Sequence, residues 1–196
     1  MIGQLPVTLD VAGKRYKIRS DYRVVLRIME AMSDPELTDK EKLLVCLVNI
    51  YPDFDSIPQN AIAEAYKQAV AFIENGSSES QQKGKVLDWT KDERLIFPAV
   101  NAAAGFEVRG VEYLHWWTFL GYFQSIDRDS LLGTVLTIRQ KRRKRKKLEE
   151  WEQEFYTANK EMCDLTETGT AKSAQNALQE IYQQLIEEAK NGGGEE

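Results

Sequence analysis

Near the start of the chain, apolar and polar residues alternate with a period of two. Val7, Leu9 and Val11 fall on one side of a strand, with Thr8 and Asp10 on the other. Tyr16 and Ile18 then stand opposite lysines in a second short run. Between them, Ala12-Gly13 can close a tight turn, because glycine tolerates positive φ. The pattern predicts a β-hairpin. A lone hairpin is marginal in water, so its apolar face should lie on a helix or on another chain's strand.

From Ser20 onward the period becomes helical. Ser20 is placed to cap a helix from Asp21 to about Ser33, with Val24, Val25, Ile28, Met29 and Met32 on one face. Asp34-Pro35 breaks it. Thr38 and Glu41 have capping-box spacing ahead of Leu43, Leu44, Leu47 and Val48, and that helix ends near Tyr51-Pro52. Pro58 suits the first turn of a third helix carrying Ile62, Tyr66, Ala69, Phe72 and Ile73, and Asn75-Gly76 stops it. Residues 77–85 lack apolar side chains and predict a flexible loop. Asp88 should cap a helix running to about Ala104, in which Pro98 removes a hydrogen bond and should kink the axis unless the helix is shorter. Gly105 ends it. Tyr113–Ile126 is the next helix, apolar over most of its surface. Asp129 or Ser130 can cap another from Leu131, with Leu132, Val135, Leu136 and Ile138 as its apolar part. The sequence from Leu148 to Leu165 reads as a continuing helix through Trp151, Phe155, Ala158 and Met162. Ala174–Ala189 reads as a last amphipathic helix.

These elements predict a mainly α protein, with a small N-terminal β-hairpin packed on a multi-helix bundle and a helical C-terminal extension. The expected organisation is a core domain over residues 1–138, a basic-then-acidic extension over 139–190, and a disordered tail over 191–196. At 42% hydrophobic residues, the chain of 196 can bury a real core. Cys46 and Cys163 suggest no disulfide framework, and no apolar run approaches the roughly 20 residues that cross a bilayer. The N-terminus lacks the features of a signal peptide.

The net charge of −5 removes any global attraction to nucleic acid. One local feature departs from this. Arg139, Lys141, Arg142, Arg143, Lys144, Arg145, Lys146 and Lys147 put eight cations into nine positions. The run is a candidate electrostatic contact surface, for phosphates or for acidic residues. From Leu148 to the C-terminus, 12 acidic and 3 basic residues follow. They can neutralise the run in the same chain or a neighbour, which makes nucleic acid the lesser reading.

Candidate chemistry is otherwise sparse. His115 has no second histidine or cysteine at metal-ligand spacing, and it reads as a packed helix residue. Asp88, Asp92 and Glu93 read as cap and first-turn acids. No phosphate-binding glycine loop, dinucleotide fingerprint or nucleophile elbow occurs. Trp116, Trp117, Phe119 and Phe123 are candidates for core or partner binding. Adjacent helix positions point about 100° apart, so Trp116 and Trp117 should serve different surfaces. Val7, Leu9, Tyr16 and Ile18 are the candidate self-association residues. The sequence thus predicts neither an enzyme nor a cofactor or metal site.

Leu5–Glu30, Asp88-Trp89 with Asp92, Ile96, Asn101, Gly105, the element Leu114-His115-Trp116-Trp117-x-Phe119, Gly133 and Ile138-Arg139 together resemble the tailed-phage "gene product fifteen" family. The resemblance spans roughly residues 5–140, and residues 77–85 and everything after Lys147 carry no part of it. It implies a place in the tail-assembly module, encoded near the tape-measure protein. It further implies a tail assembly chaperone that keeps that apolar protein soluble, with client helices in an apolar groove and possible homo-oligomers built through the hairpin edge. The expected location is the cytoplasm of the infected or lysogenic bacterial host, with no membrane attachment. Two alternatives are a structural tail completion or connector subunit of the virion, and a nucleic-acid-binding accessory acting through residues 139–147.

Overall fold

The computed structural model describes residues 3–75, 86–165, 180–185 and 187. The chain is mainly α, with one two-stranded antiparallel hairpin at the N-terminus. It divides into two compact units, the first holding residues 1–83, 115–117 and 171–196 and the second holding 84–114 and 118–170. The expected loop at 77–85 and tail at 191–196 lie outside the described residues.

In the first unit, β1 (Thr8–Val11) pairs with β2 (Lys14–Lys17) in the register Leu9 opposite Tyr16. Ala12 and Gly13 both take positive φ, 49° and 79°, as a two-residue type I′ turn requires. The hairpin's apolar face is covered within the chain: β1 packs on α3 (Ile62–Ile73), and Tyr16 meets Tyr51 edge-on at 6.3 Å. Helix α1 (Tyr22–Ser33) begins at Asp21 rather than Ser20, because the Asp21 carboxylate accepts from the Arg23 N–H. Ser20 is buried, and its carbonyl accepts from the Trp116 N–H. Helix α2 (Asp39–Ile50) has the expected capping box: Glu41 N–H donates to Thr38 Oγ1, and Thr38 N–H donates to Glu41 Oε2.

The buried face of α2 differs from the predicted stripe. Cys46, Leu47 and Ile50 face inward, and Leu44 and Val48 are 50% and 44% exposed. The predicted stripe Leu43, Leu44, Leu47, Val48 fits helical spacing equally well, so periodicity alone did not select the face. Asn75 adopts left-handed φ (54°) at the stop after α3. Of the last predicted helix, residues 180–185 and 187 are described and helical, with Ile181 buried.

In the second unit, α4 (Glu93–Ala104) starts later than predicted. Asp88 organises a turn first, accepting from the Thr90 and Lys91 N–H groups. Pro98 is therefore only in the second turn and is exposed, and it has no N–H to donate to the Arg94 carbonyl. Gly105 closes α4 in the left-handed conformation at φ 79°. Helix α6 (Leu131–Arg143) is capped by Ser130, whose Oγ accepts from Gly133 N–H. The predicted continuous helix after Leu148 is instead α7 (Glu150–Ala158) and α8 (Lys160–Cys163), folded back toward α6. Val135, Ile138 and Cys163 form a buried cluster, against which Leu95, Leu148, Phe155, Tyr156 and Met162 pack. Helix α5 (Trp116–Gln124) is divided: its first two residues belong to the first unit and the rest to the second.

Candidate interaction surfaces

The His115-Trp116-Trp117 element is an anchoring device. α5 begins at Trp116, three residues later than predicted, because His115 is held in extended backbone by a bridge to Asp21. His115 Nδ1 accepts from the Trp117 N–H at 3.0 Å, capping α5, while Nε2 lies 2.9 Å from the Pro6 carbonyl. These two bonds require a neutral ring with its proton on Nε2. His115 is 2% exposed and carries out a structural task at both nitrogens.

The two tryptophans leave α5 in different directions, yet both indole N–H groups converge on the C-terminal end of α3. Trp116 donates to the Ile73 carbonyl at 2.8 Å and Trp117 to the Phe72 carbonyl at 2.9 Å. The last carbonyls of a helix have no partner within it, and here side chains from a distant helix satisfy two of them. The Phe72 ring stacks on Trp117 at 6.0 Å and meets His115 edge-on at 5.8 Å. Trp116 is 1% exposed and Trp117 is half-buried. Trp116 thus lies in the core and Trp117 at its edge, while both indoles reach the same helix end.

Phe119 is buried and Phe123 half-buried. In the second unit they close an aromatic cluster: Trp89 lies 5.1 Å from Phe123 and 6.5 Å from Phe119, and Phe97 lies 6.3 Å from Phe119. Of the hairpin residues, Tyr16 and Ile18 are buried, Leu9 is half-buried, and Val7 is 55% exposed. Val7, with Leu5 beside it, is the apolar surface the hairpin leaves to solvent.

The basic run is not one surface. Arg139 is 6% exposed and holds the buried Asp92 through two bonds of 2.6 and 2.8 Å. The same guanidinium donates to the carbonyls of Val86, Met162 and Cys163. Lys141 pairs with Glu149 at 3.3 Å and with the buried Glu152 at 2.6 Å, and the bond it donates to Glu152 is the main reason its ammonium is held above the usual lysine range. Arg142 pairs with Asp164 and lies over the Tyr156 ring at 4.0 Å. Helix α6 then stops. Lys146 N–H donates to the Lys141 carbonyl and Arg145 N–H to the Arg142 carbonyl, a Schellman pattern with Arg145 in the left-handed conformation at φ 53°. Lys144, Arg145, Lys146 and Lys147 are exposed in the turn that follows.

The acids expected after Leu148 to neutralise the run include Glu149, Glu152 and Asp164, whereas Asp92, read as a helix-start acid, is the partner that sequence reasoning missed. Trp151, predicted on the inner stripe, is 52% exposed, because Glu152 occupies the inward position to meet Lys141. The E-x-x-E spacing of Glu149 and Glu152 was the available signal for a new helix start. Among the described residues, no group of three or more His, Cys, Asp or Glu is placed to hold a metal ion, and no helix is long and apolar enough to cross a membrane.

The sequence model for the family described as bacteriophage Gp15 protein matches residues 1–165. No curated protein and no solved structure matches the chain.

Proposed function

The chain belongs to the bacteriophage Gp15 protein family, and from that membership we propose that it acts in phage tail morphogenesis as a chaperone of the tape-measure protein. The family match over residues 1–165 is the observation that carries this reading. The surface chemistry supports it: Leu5, Val7, Leu44 and Val48 in the first unit, and Leu131 and Trp151 in the second, are large apolar side chains about half exposed. Such side chains suit reversible burial against an amphipathic client helix, which binds through anchors at i, i+3, i+4 and i+7. Leu44 and Val48 are themselves four residues apart on α2 and present one such stripe.

The protein would work in the cytoplasm of the host bacterium, where tail parts are assembled, with no catalytic step and no cofactor. Co-expression with the tape-measure protein should bring that protein into the soluble fraction and co-purify it. Unchanged solubility and no co-purification would refute the proposal. Detection of the chain in purified virions by mass spectrometry would instead favour a structural tail component.

A further inference from the structure

We propose that the α6–α7 turn and the first turn of α7 form a docking face for an acidic amphipathic protein helix, read by Arg145, Lys146 and Lys147. This deepens the chaperone reading, on which it rests for the identity of the natural client.

Three observations converge there. First, the internal ion pairs divide the basic run. Arg139, Lys141 and Arg142 are committed to Asp92, Glu149, Glu152 and Asp164. Among the described residues, no carboxylate pairs with Lys144, Arg145, Lys146 or Lys147. The described carboxylates thus leave four adjacent cations at the turn that ends α6. Second, Arg145 occupies a left-handed position that favours glycine, at φ 53°. Glycine would make the same turn with less strain, so the side chain itself is what distinguishes arginine there. Third, the turn is concave. A cavity of about 880 Å³ is lined by Arg142, Arg145, Lys146 and Lys147 on one wall and by Glu150, Gln153 and Glu154 of α7 on the other. Trp151, half exposed on α7 and next to Glu150 in sequence though outside the cavity's lining, offers an aromatic side chain on the same helix, and Trp and Arg are the residue types enriched where interfaces bind most tightly.

The carboxylates decide the class of partner. A nucleic-acid backbone presents only negative charge, and Glu150 and Glu154 in the same cavity would repel it. A protein helix can place acidic residues against Arg145, Lys146 and Lys147, and place apolar residues toward Trp151 and Leu148. Charge complementarity with a mixed wall therefore selects an acidic amphipathic helix.

The test uses the purified full chain and a fluorescein-labelled amphipathic helical peptide with one glutamate face and one leucine face, read by anisotropy. A labelled DNA duplex is the second probe. The peptide should bind, and binding should weaken as salt rises. The combined Arg145→Gln, Lys146→Gln and Lys147→Gln variant should bind about tenfold more weakly, the loss of a modest contribution from each of three exposed pairs. Arg145→Gly separates side chain from turn: it should raise thermal stability and still lower peptide affinity. Unchanged affinity in both variants, absence of peptide binding, or tighter salt-sensitive binding of the DNA would each overturn the assignment. Its failure is distinguishable from failure of the chaperone reading. If the triple variant still solubilises the tape-measure protein as well as wild type, this surface is refuted and the chaperone survives. If wild type binds the peptide but solubilises nothing, the reverse holds.

Discussion

Replacing Arg139 by methionine removes the guanidinium that ties three parts of the second unit together. In the native protein it forms two bonds to Asp92 and one each to the carbonyls of Val86, Met162 and Cys163. Both members of the ion pair are almost fully buried, with side-chain exposures of 4% and 2%. In Arg139→Met the Asp92 carboxylate keeps the Asp88 N–H at 2.9 Å but loses its counter-charge in a dry site. An uncompensated buried charge of this kind costs about 3–5 kcal/mol. That is a large part of the total stability of a domain, about 5–15 kcal/mol. Asp92→Asn should cost somewhat less, because the three carbonyls still solvate the guanidinium. The double variant Asp92→Asn/Arg139→Met removes both charges and leaves only neutral groups unpaired, at about 1–3 kcal/mol each when fully buried. It should therefore be clearly more stable than the sum of the single variants predicts. Urea unfolding followed by far-ultraviolet circular dichroism measures all three. A cost below about 1 kcal/mol for Arg139→Met, or simple additivity in the cycle, would refute the argument that this pair holds the unit together.

Gly133→Ala should destabilise by roughly 2 kcal/mol or more in the same assay, because a Cβ there would sit 2.4 Å from the Arg128 carbonyl oxygen, backbone that cannot easily yield. Ala12→Asn should stabilise by about 1 kcal/mol, since asparagine tolerates the positive φ that the hairpin turn imposes on Ala12; an unchanged urea midpoint would count against the turn assignment. Trp116→Phe should cost about 1–3 kcal/mol by leaving the Ile73 carbonyl without its buried donor, and Trp117→Phe should cost less because its site is half-buried. Glu107 accepts from Arg109, and those bonds, with a further one from Asn101, lower its carboxyl to about 2. Its contribution is present above the unfolded carboxylate value near 4.5 and is lost as pH falls toward 2; a carboxyl NMR titration showing an ordinary midpoint would contradict the geometry. Burial pushes the Cys46 thiol up to about 12, so iodoacetamide at mildly alkaline pH should modify Cys46 only after denaturation.

The residues that carry the family resemblance turn out to hold the fold. Asp92 and Arg139 are the buried ion pair. Asn101 accepts from the Val108 N–H and donates to Glu107, fixing the loop after α4. Gly105 supplies the left-handed cap of α4, Gly133 permits a close backbone approach, and within the first unit His115, Trp116 and Trp117 bond to Pro6 and to the end of α3. The signature legible in sequence is thus one of architecture. Leu44 and Val48 fit a core stripe by spacing yet are exposed, and the exposed Lys144–Lys147 turn belongs to a run that also contains the buried Arg139.

What the sequence by itself determined is what neighbours within about four residues decide. The alternation of Val7, Leu9 and Val11 defines the strand, Thr38 with Glu41 starts α2, Ser130 starts α6, and Asn75 and Gly105 stop helices, because each signal and its hydrogen-bond partner lie in one turn of chain. Tertiary structure decided the rest. Arg139 finds Asp92 across 47 residues, Trp116 finds Ile73 across 43, and His115 finds Pro6 across 109. No local propensity distinguishes a buried arginine from the exposed one six positions later, or stops α6 at Arg143 with a basic residue in the glycine position. Packing of α7 and α8 back toward α6 made those choices, since Glu152 and Asp164 neutralise its cations only when the chain reverses there.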